Sequence, residues 1–144
     1  MRSTFTLFVF TLVLIATGLL VYSALGIARN SDDPAAGAVV TDFARALRSK
    51  DGKAACALLS PSTQSKLEDE RKKPCAEAIV EVASDIEPHG SVAKVSVAES
   101  EGFVESSGGT SFFVDKEGAS WKVSAAGCSA QAGDAPYSCQ LEGG

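Results

Sequence analysis

Between residues 33 and 49 apolar side chains fall at Ala36, Val39, Val40, Phe43 and Leu47, while Asp42, Arg45, Arg48 and Ser49 take the other side. Spacings of three and four are the period of an amphipathic helix. Asp33-Pro34 suits its start, with Asp as N-cap and Pro at the first helical position. Gly52 is expected to stop it. A second, short helix is expected over Lys53 to Leu59. Ser60-Pro61 ends it and caps a third, which runs to about Glu70 with Leu67 as its main apolar residue. Pro74 opens a fourth, from Cys75 to about Ser84, whose apolar face is Cys75, Ile79, Val82 or Ala83, and Ile86. Pro88-His89-Gly90 breaks the helical pattern.

From Ser91 to Glu99 the period changes to two. Ala93, Val95 and Val97 alternate with Lys94 and Ser96, as in a half-buried strand. Gly102 to Glu105 and Thr110 to Asp115 read as two more strands, joined by Ser106-Ser107-Gly108-Gly109, a suitable hairpin turn. Lys116-Glu117-Gly118 turns again, and Ser120 to Ser124 forms a fourth strand with Trp121 and Val123 inward. Helices first and antiparallel strands afterwards indicate an α+β domain, with helices packed on one face of a curved sheet.

Ahead of this pattern stands a run with no period. Thr4 to Ala28 is 25 residues without a charge. A helix of roughly 20 apolar residues crosses a bilayer core. The run exceeds the apolar core of a cleaved signal peptide, usually about 7–15 residues. The expectation is an uncleaved transmembrane anchor over residues 1–29, in the membrane through residues 4–28, followed by a domain over residues 30–144. Cleavage after Gly26 or Ala28, both in small-x-small settings, would give a secreted protein instead. Arg2 and Arg29 balance, so flanking charge says little about orientation.

Charge and cysteines narrow the picture. The chain has net charge −5, and since Arg2 and Arg29 are the bases before residue 30, the domain alone carries −7. Nucleic-acid binding, which depends on Lys and Arg neutralising phosphates, is not expected. Cys56, Cys75, Cys128 and Cys139 all lie in the domain, without a C-x-x-C pair, so zinc-ribbon and thioredoxin-like readings fail. An even count behind an export signal reads as two disulfides. Of three pairings, Cys56–Cys75 with Cys128–Cys139 closes two short local loops and is the expected one. Four reduced thiols in a cytoplasmic domain is the competing reading. Leu, Ile, Val and Phe supply only 21 of the last 115 residues and Ala 19, a thin core of the kind disulfides support.

Candidate chemistry is sparse. His89, the single histidine, lies in a predicted turn, where it has no evident partner to orient it as an acid or base. Glu99, Glu101 and Glu105 surround the first two strands. Glu99 shares the parity of Val95 and Val97 and could point into a cone, but solvated strand-edge positions are the better reading of all three. The run from Glu68 to Lys73 reads as a solvated helix end. No Gly-x-Ser-x-Gly and no phosphate-cradling loop occurs, and no cofactor or metal is expected. Phe112, Phe113 and Trp121 are the large residues of the sheet, either core against the helices or the lining of a small apolar pocket. Tyr137, within the second disulfide loop, is expected to pack on the sheet with its hydroxyl at the surface.

Several segments carry a resemblance. These are Asp33-Pro34 leading to Phe43-Ala44, Ala-Cys-Ala-Leu-Leu-Ser-Pro at 55–61, Lys-Pro-Cys at 73–75, Gly-Ala-Ser-Trp-Lys-Val-Ser-Ala-Ala-Gly-Cys at 118–128, and Pro-Tyr-Ser-Cys at 136–139. Together they resemble small membrane-anchored or secreted proteins of high-GC Gram-positive bacteria with an NTF2-like domain, a cone of helices against a bent antiparallel sheet. The resemblance implies a fold and a compartment but no activity, because fold alone does not decide function. The expected function is a non-catalytic extracytoplasmic binding or accessory domain of the cell envelope, taking a protein partner or a small apolar ligand. The alternative is an NTF2-like enzyme that holds a small apolar substrate in its cone and uses Glu99 as an inward carboxylate.

Overall fold

The computed structural model describes residues 32–132 and 137–143. The expected anchor, residues 4–28, lies outside the described residues. Among those described, no helix is long and apolar enough to cross a membrane.

Among the described residues five helices precede five strands. The helices are α1 (Asp32–Arg48), α2 (Gly52–Leu58), α3 (Pro61–Arg71), α4 (Cys75–Glu81) and α5 (Ala83–Ile86). The strands are β1 (Val92–Ala98), β2 (Glu101–Ser106), β3 (Ser111–Glu117), β4 (Ser120–Cys128) and β5 (Leu141–Glu142). They form one antiparallel sheet in the order β1-β2-β3-β4-β5. The α+β class read from the sequence is the observed one, with the helices packed against this sheet.

Two helix boundaries differ from expectation. α1 already includes Asp33, so Asp33 is not its cap; Pro34 sits in the first turn, where a missing N–H leaves no bond unmade. Its C-terminus is closed by Lys50, not Gly52. Lys50 takes a left-handed conformation (φ 57°), the Lys50 N–H donates to Leu47 O and the Asp51 N–H to Ala46 O. This is a Schellman closure with a non-glycine residue at the left-handed position. Gly52 instead opens α2, behind an Asp51 cap that accepts from the Ala54 N–H. A Cβ on Gly52 would fall well inside contact distance of the Ala76 carbonyl, so glycine here permits the close approach of α2 to α4. The Cys56–Cys75 disulfide joins the same two helices.

The short helices also serve each other's ends. Gln64 Nε2 donates to Cys56 O and Leu59 O at the end of α2, and Glu68 accepts from the Cys75 N–H at the start of α4. Glu68, first of the predicted solvated charge run, is therefore also a cap. Ser60 caps α3 as expected, accepting from the Thr63 N–H.

β2, β3 and β4 are longer than the sequence pattern indicated, whereas β1 is one residue shorter at each end, and the sheet is bulged. Val92 pairs with Ser106 and Lys94 with Glu105, which leaves Ala93 as an extra residue exposed on the edge. The predicted inward set of Ala93, Val95 and Val97 is thus Val92, Val95 and Val97. In β4, Val123 pairs with Val114 but Ala125 with Phe113, and Cys128 with Ser111, so two irregularities bend the strand. Gly127 (φ 65°) lies in the second of them. The short β5 lies in a tail read from sequence only as disulfide-tied. It covers the distal half of β4, and the α2–α3 junction covers the proximal half: Leu59 bridges Val123, and the Ser60 N–H donates to Val123 O.

A hydrophobic core lies between helices and sheet. Phe43, Leu59, Leu67, Ile79, Ile86 and Phe112 are fully buried there, with Val104, Val114 and Val123 beneath them. Trp121 belongs to this core too; its Nε1 is buried without a hydrogen-bond partner, and Lys116 Nζ lies 5.8 Å from its ring centre. Glu99 does not point into a cone. It occupies the β1–β2 turn, exposed, with φ 57°, because the strand ends at Ala98 and the alternation that placed it inward ends with it.

Candidate functional site

Strand alternation places neighbouring residues on opposite faces. In β3 this sends Phe112 into the core and Phe113 to the face away from the helices. Phe103 of β2 pairs with Phe113 in register, so their rings meet on that outer face with centroids 5.5 Å apart and planes at 63°. The tail adds a third ring. Cys128–Cys139 fastens the returning chain to the end of β4, and Tyr137, two residues before Cys139, lays its ring 5.4 Å from each phenylalanine. Such tilted and edge-on contacts are favourable aromatic geometries. Tyr137 packs on the sheet as expected and is still 38% exposed, the large apolar residue most open to solvent among those described.

Phe113 is the ridge between two open clefts. One, of about 510 Å³, is lined by Phe113, Asp115, Ser124, Ala125, Tyr137 and Glu142. The other, of about 280 Å³, is lined by Val97, Ala98, Glu101, Gly102, Phe103 and Phe113. The floor of the larger cleft is held from beneath. Ser124 O accepts from the Gly143 N–H and from Thr63 Oγ1, which fixes the tail and the start of α3 to the bend in β4.

Charge on this face is arranged in cross-strand pairs. Glu101 lies directly opposite Asp115, Lys94 opposite Glu105, and Asp115 also opposite Lys122. Lys122 Nζ donates to Ala57 O at 2.6 Å. Glu142, at the rim of the larger cleft, is 3.6 Å from Lys66. Outside this face, Lys73 pairs with Glu81, whose hydrogen bond and negative charge raise the lysine above its usual 10.5.

The residues singled out from sequence divide accordingly. The four cysteines form Cys56–Cys75 and Cys128–Cys139, the sequential pairing, and no free thiol remains. Phe112 and Trp121 are core, whereas Phe113 lines a cleft. His89 is exposed in the loop before β1, where its carbonyl accepts from the Gly108 N–H. Among the described residues no three His, Cys, Asp or Glu side chains gather as a metal site. Sequence reasoning missed the partnership of Phe103, Phe113 and Tyr137 and the place of Asp115 beside it. The available signal was parity: Phe103 alternates with Gly102 and Val104 and so falls on the same side as Glu101 and Glu105, an aromatic residue between two acidic ones along one strand. The chain matches no protein-family model, and neither curated proteins nor solved structures contain a significant match to it.

Proposed function

We propose that this chain is a single-pass membrane protein whose disulfide-tied, NTF2-like domain stands outside the cell as a non-catalytic binding module of the envelope. The two disulfides support an oxidising compartment, and the 25-residue uncharged run supports an anchor. The observation that carries the binding role is the ring cluster of Phe103, Phe113 and Tyr137 on the sheet face that the helices leave uncovered. A face whose only task was solubility would carry polar residues at those positions. Here a disulfide loop is used to bring a further ring to it.

The test uses the full chain in native-type membranes, with a photo-crosslinking residue in place of Ser96 beside the ring cluster, or in place of Lys53 on the helical side. A discrete adduct at position 96 that disappears with Phe113→Ala, and none at position 53, is the expected result. Equal adducts at both positions, or none at position 96, would overturn the reading. Intact mass before and after reduction tests the compartment: a gain of about 4 Da corresponds to two disulfides opened, and a shortened chain ending the anchor at Gly26 or Ala28 would show that the domain is secreted.

A further inference from the structure

The charge pattern of the same face indicates what it binds. The three rings touch one another, so no group enters between them; a ligand must lie along their flanks, in the clefts on either side of Phe113. Each cleft contains one member of a like-charged pair, Glu101 in the smaller and Asp115 in the larger. Directly opposite residues of antiparallel strands hold their Cβ atoms about 4.5–5.5 Å apart, and like charges at that separation destabilise a sheet. Among the described residues neither carboxylate is in an ion pair. Lys122, the cation placed to relieve Asp115, is turned to the Ala57 carbonyl.

A cation seated across Phe113 would relieve this repulsion and at the same time lie near a ring face, where the aromatic quadrupole attracts it. We propose that the outer face binds a basic peptide segment of a partner protein, with an arginine or lysine side chain held between Glu101 and Asp115 over Phe113. The inference rests on the binding role proposed above. An extended peptide fits better than a compact polycation, because the two clefts are open and lie on either side of Phe113. Glu142, also in the lining of the larger cleft, is already paired with Lys66 and is not needed for this contact.

The experiment measures binding of fluorescent peptides to the full chain in nanodiscs of neutral lipid. The probes are an alternating arginine–alanine peptide, a serine–alanine peptide of equal length, and spermine as competitor. The arginine peptide is expected to bind more weakly as salt is raised. Glu101→Gln with Asp115→Asn should lower its affinity at least tenfold, whereas Asp69→Asn with Glu70→Gln, off this face, should change it less than twofold. Thermal melting serves as the control for folding, and the Glu101/Asp115 variant should melt no lower than the parent. Equal loss in both double variants would show attraction to an acidic surface in general and overturn the site. Displacement by spermine at matched charge concentration would overturn the peptide in favour of a small polycation. If the serine peptide binds equally well and Phe113→Ala abolishes that binding, the face remains a binding face and its cationic preference is wrong. No binding by any peptide overturns both.

Discussion

Phe112 and Phe113 are consecutive residues of one strand with opposite surroundings. Phe112 is fully buried in the core between helices and sheet; Phe113 is half-buried against two rings and borders two clefts. Each face of the sheet has its own disulfide. Cys56–Cys75 ties the helices that cover the inner face, and Cys128–Cys139 holds the tail that partly covers the outer one. The inner face is closed by a packed core of aliphatic and aromatic side chains, whereas the outer is covered just enough to hold three rings in place. Stability and recognition are thus divided between the two sides of one sheet.

The sharpest way to break that division is to truncate both phenylalanines. Phe112→Ala should destabilise the domain by about 3–5 kcal/mol, the usual range for a buried Phe replaced by Ala, and a domain with so few large core residues would be close to unfolding. Phe113→Ala should cost far less and leave a cooperative urea transition with an unchanged m-value. Similar losses for the two would show that the outer cluster is a second core.

Removing the disulfides separates the faces next. By the chain-entropy model each is worth about 3 kcal/mol, and the difference in loop length contributes only about 0.5 kcal/mol. Stability alone therefore hardly distinguishes Cys56→Ala/Cys75→Ala from Cys128→Ala/Cys139→Ala. Tyr137 does. The second variant should lose the near-ultraviolet dichroism of Tyr137 and the photo-adduct at position 96, and the first should keep both at temperatures where it is folded.

A smaller loss is expected at Gly52, under the helical cover. Gly52→Ala places a methyl group against the Ala76 carbonyl, and relief requires α2 and α4 to move apart at the very point where Cys56–Cys75 joins them. Overpacking of this kind costs about 1–3 kcal/mol. Tyr137→Ala, on the outer side, removes two ring contacts and should cost about 0.5–1.5 kcal/mol. Both are read from thermal melts, and the ordering fails if Tyr137→Ala proves the more damaging.

The sequence made the inner face far more legible than the outer. Helical spacing identified Phe43, Val40 and Leu47, and alternation identified Val95, Val97, Trp121 and Val123, because burial against one neighbour imposes a period. Cysteine spacing gave the correct pairing because local closure was available for both bridges. What failed were single-residue departures from a period. The bulge at Ala93 and the irregularities of β4 shift parity without any local composition signal; Glu99 is exposed, as its solvated reading had it, and the inward alternative failed because parity was continued one residue past the strand. Lys50 in the left-handed position also escaped notice, since glycine stood two residues on. The outer cluster was hardest to see, because Tyr137 reaches Phe103 and Phe113 through a disulfide and a chain return rather than through any spacing.

The last comparison concerns the outer face alone, where stability and binding should move in opposite directions. Glu101 and Asp115 stand opposite each other with no ion pair among the described residues, and removing one charge should remove a repulsion. Glu101→Gln keeps the shape and the hydrogen-bonding capacity of the side chain, so the change should stabilise the domain by about 0.2–1 kcal/mol. The gain should shrink as salt is raised, since exposed charges are screened. The same substitution should weaken the arginine peptide. A rise in melting temperature at low salt together with a fall in affinity is the result expected of a pair kept for its ligand. A fall in melting temperature would mean that Glu101 contributes to the sheet itself, and the division between a stabilising inner face and a recognising outer face would have to be redrawn around it.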